Sequence, residues 1–203
     1  MILMRKDIFL ILLLLVLCQG YSLAQAQRHE IYVAYGLSPK GAQSKPVFAP
    51  VKKDQLQYSL NDEKMSGTIS VGYAYCMSSR FSLGLSYTYS TYDTQVVLGS
   101  SNPLADVKTT NHLFLINTKF EWLKIKSFSL YTRGGIGVKY CNKLTYENVN
   151  TMYTPDERKA EKFLAWQISV LGAEWRFIPH LALFVEGGAG MQGCLLAGLR
   201  THF

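Results

Sequence analysis

From Phe81 to Ser90 the chain alternates bulky apolar with small or polar residues. Phe81, Leu83, Leu85, Tyr87 and Tyr89 fall on one face, and Ser82, Gly84, Ser86, Thr88 and Ser90 on the other. Successive side chains of a strand point to opposite faces, so this spacing predicts a strand with one apolar and one polar side. The pattern runs on to Tyr92, well beyond the ~5–6 residues usual for a soluble strand. The same period predicts seven more strands, at 30–37, 65–76, 108–122, 128–140, 161–177, 181–190 and 194–203. Ile31, Val33 and Tyr35 make the apolar face of the first; Ile69, Val71, Tyr73 and Tyr75 that of the second; Phe114, Ile116, Phe120 and Trp122 that of the fourth. In 161–177 the phase set by Gly172, Glu174 and Arg176 puts Trp166, Ile168 and Val170 on the polar side, a misfit that points to a bulge or to packing at a rim.

The links between these strands alternate in length. Residues 38–64, 93–107 and 142–159 are long and polar, rich in loop-forming Pro, Gly, Ser and Asn, whereas 77–80, 123–127 and 178–180 are short. The last link, 191–193, is also short. Tyr75, Phe81, Trp122, Phe128, Trp175 and Phe203 flank the short turns or the C-terminus, each on its strand's apolar face. Tyr35, Tyr89 and Tyr140 gather towards the other end. Long two-faced strands, an even strand number and an aromatic ring at one end are what a barrel needs to span a bilayer with apolar residues outward and polar residues inward. The expected fold is all-β: a single eight-stranded antiparallel up-and-down transmembrane β-barrel.

The chain has 203 residues. Its first 26 read as a cleaved signal peptide: Arg5 and Lys6, the apolar run Ile8 to Cys18, then Ala24-Gln25-Ala26 as the cleavage site, with Ala24 the alternative. That run is far short of the ~20 residues of a spanning helix. Leu17 before Cys18 argues against lipidation. Residues 27–203 form one domain, enough for about eight strands and too little for a porin. Removing Arg5, Lys6 and Asp7 lowers the formal charge from +7 to +6. Those charges are not grouped on a helix or stripe, so nucleic acid is not an expected partner. Cys76, Cys141 and Cys194 remain, an odd number that leaves at least one thiol unpaired in a monomer and matches no zinc spacing.

The segment 184–190, Phe-Val-Glu-Gly-Gly-Ala-Gly, with the tail 198–203, Gly-Leu-Arg-Thr-His-Phe, resembles the closing hairpin of small outer-membrane β-barrel proteins. These are the OmpX/OmpA-transmembrane-like group, in the form common in Bacteroidetes-type bacteria. The resemblance covers the mature chain by architecture and its last strands by motif. It implies that Phe203, with Leu199 and Thr201 on the same face, is the signal read by the barrel-assembly machinery. The small Ala197 departs from the usual pattern further up that strand. No peptidoglycan-binding domain follows in this chain.

Lys119, Glu121, Arg133, Glu174, Arg176, Glu186 and Arg200 are expected to face the lumen. They read as a selectivity lining or catalytic cluster, or as paired charges that fill a barrel only wide enough for side chains; the second reading is preferred. His112 with Ser82 or Ser86 and a glutamate sketches a lipid A deacylase-like triad without a nucleophile motif. His29, His180 and His202 are expected at the surface, with no metal-ligand spacing. The glycines of 134–137 and 187–190 precede no helix and are not phosphate loops. Lys40, Lys45, Lys52, Lys53 and Lys64 make the first long link basic, either a solvated loop or a site for lipopolysaccharide phosphates. The expected function is an integral outer-membrane barrel with a structural or surface-interaction role, monomeric, without catalysis, cofactor or metal. A barrel lipid-modifying enzyme and a soluble periplasmic lipocalin-like barrel are the alternatives.

Overall fold

Two-residue periodicity becomes strand along almost the whole chain. The computed structural model describes residues 28–37, 39, 58–65, 67–98, 102–141, 145–147 and 161–203; for 58–65, 93–98, 102–107, 145–147 and 161 it describes the backbone alone. Ten stretches of strand form: β1 His29–Leu37, β2 Tyr58–Met65, β3 Thr68–Cys76, β4 Phe81–Leu98, β5 Asn102–Ile125, β6 Phe128–Cys141, β7 Thr145–Glu147, β8 Glu161–Ile178, β9 Leu181–Gly190 and β10 Leu195–His202.

All pairings are antiparallel. β1 pairs with β3 on one side and with β10 on the other, and the ladder β3–β4–β5–β6–β8–β9–β10 runs round between them. The first strand therefore meets the last, and the sheet closes with no free edge. β2 prolongs the β3 stave along β4, and β7 prolongs the β6 stave along β5, so the ten stretches make eight staves. The chain is a closed, eight-stranded, antiparallel β-barrel.

Three expectations need correction. Residues 58–64, read as loop, are strand, joined to Met65 in β2, and the predicted strand 65–76 is interrupted before Thr68. Residues 93–107, read as loop, are mostly strand: β4 and β5 continue as a long hairpin to Leu98 and Asn102. Thr145–Glu147 is likewise a strand inside the third polar link. These segments carry no one-sided apolar alternation, so the signal that marks a half-buried strand is missing from their sequence.

The wall is apolar outside. Leu85 is 61% exposed, Ile116 55% and Leu164 71%, whereas Ser86, Asn117 and Ala165 beside them are buried in the lumen. A lipocalin-like barrel puts Leu83, Leu85 and Tyr87 inside; here they lie on the outer wall.

The misfit in 161–177 is resolved by one residue. The β8–β9 register shifts between Ser169 and Leu171, leaving Val170 as an extra residue, with Val170 and Leu171 both on the outer surface. The alternation changes phase there, so Trp166 and Ile168 face outward and not into the lumen. A second shift, between Glu121 and Leu123, leaves Trp122 unpaired on the outer wall.

Candidate functional site: the filled lumen and its mouths

Inward positions on all eight staves include charged or hydrogen-bonding side chains. Each strand sends every second side chain inward, and eight staves bring those from opposite walls into contact. Glu186 on β9 lies at the centre and is fully buried. It accepts hydrogen bonds from Arg133 Nε at 2.9 Å, Tyr131 OH at 2.9 Å and Ser169 Oγ at 2.7 Å. Arg133 Nη2 also lies 2.7 Å from Glu186, and Nη1 donates to the Tyr32 hydroxyl at 3.0 Å. Arg200 on β10 donates to Glu174 at 2.5 Å and to Tyr131 OH at 3.3 Å. Its guanidinium carbon lies 4.5 Å from the Phe184 ring centroid and 5.0 Å from that of Tyr131, within cation–π range.

Lys119 bridges two carboxylates, Glu30 at 2.6 Å and Glu121 at 3.0 Å. Arg176, nearer the short-turn end, reaches Glu174 at 3.2 Å. The structure thus brings all seven charges expected inside into one connected set with Glu30 and His202. Glu30 faces inward because Ile31, Val33 and Tyr35 face outward, a phase legible in the sequence. His202 is a correction. It is buried, with Nε2 3.0 Å from Glu174 and Nδ1 3.7 Å from Glu30, and not at the surface. The cause is again alternation, since Leu199 and Thr201 take the outer face of β10.

The long-link end of the lumen is closed by a residue that the sequence does not mark. Met191–Cys194 joins β9 to β10 and sends Gln192 into the barrel. Its amide donates to Ser86 at 3.2 Å and Thr88 at 2.9 Å, and its carbonyl oxygen Oε1 accepts from Arg133 Nη2 at 3.0 Å. Gln167 on β8 accepts from the Gln192 backbone N–H at 2.9 Å and donates to the Gly193 carbonyl at 3.0 Å, and the Thr68 hydroxyl donates to the Gln192 carbonyl. Gly190 and Gly193, at φ of 141° and 144°, supply the backbone conformation that turns the link inward. Nothing in the local pattern Met-Gln-Gly separates such a plug from an ordinary turn.

On the outer wall, Tyr75, Phe81, Trp122, Phe128 and Trp175 lie exposed around the short-turn end. Phe203 stacks on His29, with centroids 5.5 Å apart, while its backbone exchanges hydrogen bonds with that of His29 at 2.8 and 2.9 Å. Leu199 is exposed on the same face.

The imagined hydrolytic triad does not assemble. His112 lies beside Tyr87 on the outer wall, Nδ1 to hydroxyl 2.8 Å, whereas Ser82 and Ser86 are buried in the lumen. Among the described residues there is no group of three His, Cys, Asp or Glu side chains able to hold a metal. Cys76, Cys141 and Cys194 form no disulfide among the described residues. The leader, Cys18, and Lys40, Lys45, Lys52 and Lys53 lie outside the described residues; Lys64 falls in β2, opposite Asp93.

No family model matches the chain, and no curated protein matches it. Among solved structures, it is similar to Ail, the attachment invasion locus protein of Yersinia pestis, solved in complex with the heparin analogue sucrose octasulfate. The identity is 12% and the TM-score 0.44, over 87% of this chain and 99% of that one. It is also similar to the outer membrane protein OprG from Pseudomonas aeruginosa, at 15% identity and a TM-score of 0.44, over 88% of this chain and 97% of that one. Likenesses at this level carry no argument about function, which rests on the barrel's own surface and lumen.

Proposed function

We propose that this chain is an integral outer-membrane β-barrel with a structural or surface-interaction role and no catalysis. The observation that carries the reading is the inverted wall: Ile69, Leu85, Ile116 and Val170 are exposed, while charges pair inside. In water such a surface is an aggregation liability; in lipid it is the stable arrangement. Its surroundings are then outer-membrane lipid and lipopolysaccharide, reached by export with residues 1–26 as signal peptide. The aromatic ring from Tyr75 to Phe203 sits at the periplasmic interface, where amphipathic rings prefer to lie. Leu199, Thr201 and Phe203 are the assembly signal. The lumen network of Lys119, Glu121, Arg133, Glu174, Arg176, Glu186 and Arg200 stiffens the barrel, which works as a monomer.

The test is fractionation of native membranes followed by gel mobility with and without boiling. Outer-membrane location and a mobility shift on heating are expected. A soluble periplasmic protein without that shift would overturn the reading and make a bound apolar ligand the next thing to seek.

A further inference from the structure

A cavity of about 450 Å³, with mostly charged and hydroxyl-bearing residues around it, opens at the short-turn mouth of the barrel. Its lining comes from inward strand positions and from the 77–80 turn, with the exposed Arg28 before β1 and Lys124 near the end of β5 at its rim, so it opens at the end of the barrel and not through the lipid-facing wall. Four cations line it: Arg28, Arg80, Lys124 and Arg176. Two of them are tied. Lys124 lies 3.1 Å from Glu121, and Arg176 lies 3.2 Å from Glu174. Arg28 and Arg80 make no ion pair among the described residues. The two carboxylates that also line the cavity lie against Lys119, Glu30 at 2.6 Å and Glu121 at 3.0 Å.

Both arginines hang from anchored backbone. The Arg28 carbonyl accepts the Cys76 N–H at 2.7 Å, and the Arg80 carbonyl accepts the Glu121 N–H at 2.7 Å. Two exposed guanidiniums on anchored backbone at one cavity, neither in an ion pair among the described residues, have the planar fork suited to bidentate contact with an oxyanion. The volume falls within the ~300–1,000 Å³ of small-ligand pockets and exceeds a single phosphate. We propose that the short-turn mouth binds a small soluble phosphate-bearing anion through Arg28 and Arg80, with Lys124 and Arg176 completing the rim.

The test is calorimetric titration of the mature chain, folded in zwitterionic detergent at low salt, with inorganic pyrophosphate. Saturable binding is expected. The double variant R28Q/R80Q should keep its heat-dependent gel shift and raise Kd at least about tenfold, the loss of roughly 1.4 kcal/mol. K162Q removes one exposed charge from β8, far from the mouth, and should leave Kd unchanged. Absence of saturable binding overturns the proposal, as does equal weakening by K162Q, which would indicate net charge alone. Repeating the titration in anionic-lipid nanodiscs identifies the source of the phosphate. Unchanged affinity supports a soluble ligand at this site, and competition supports a lipid headgroup at the same arginines.

Discussion

Glu186 is fully buried, and its two carboxylate oxygens take Arg133, Tyr131 and Ser169 together. Removing one member of a buried ion pair leaves the other charged, desolvated and unmatched, at a cost of about 3–5 kcal/mol. Glu186→Ala should therefore lower the temperature at which the folded gel band converts to the unfolded one, and denaturant unfolding in detergent should show a loss of that size. The compensating double variant with Arg133→Met should recover part of it, since replacing a whole pair with apolar volume is far less costly. A single-variant loss no larger than that of an exposed Lys162→Ala change would remove Glu186 from the centre of the network. At this scale the sequence is informative about direction and silent about partners. Alternation says that Glu186 and Arg133 face inward, but they are 53 residues apart, and only closure of the wall brings them within contact.

Val170 carries the corresponding lesson for an element. The apolar residues of β8 fall into two phase groups, Trp166 and Ile168 above, Ala173 and Trp175 below, which no strict two-residue repeat can put on one face. One extra residue reconciles them. Deleting Val170 removes the extra residue and leaves Trp166, Ile168, Leu171, Ala173 and Trp175 in one strict alternation, so the shortened strand keeps its apolar face outward. The expected outcome is a heat-shifting folded form, as for Val170→Ala. Failure of the deletion alone would mean that the bulge does more than reconcile the two phases. The misfit, and hence the need for a bulge, was readable from the residues. The rim strands β2 and β7 and the outer ends of β4 and β5 were not, since they are stabilised by backbone pairing to a neighbour and carry no one-sided apolar pattern.

For the whole molecule, the outer surface decides where the protein is stable. Leu85 sits in the apolar band between Tyr73 and Ile116, its ladder neighbours. An arginine there should cost about 2–4 kcal/mol of unfolding free energy in lipid if that band lies at the bilayer midplane. Equilibrium unfolding in phosphocholine vesicles measures it, and a cost near zero for Leu85→Arg would contradict membrane residence of that face. The lumen is filled by Arg200, Tyr131, Phe184 and Gln192, all fully buried, so planar-bilayer recordings of the native chain should show no steady pore. The sequence by itself determined the all-β class, the eight staves and which face of most strands points outward. Those properties are set by a local repeat and by the chemistry of each residue, and they need no knowledge of distant neighbours. The tertiary structure alone decided that His29 and Phe203 clasp the ends together, that Glu30 meets Lys119 and that Gln192 plugs the lumen. Each of these pairs residues far apart in the chain, and their meeting is fixed by the stagger and curvature of a closed sheet, which no local pattern of residues encodes.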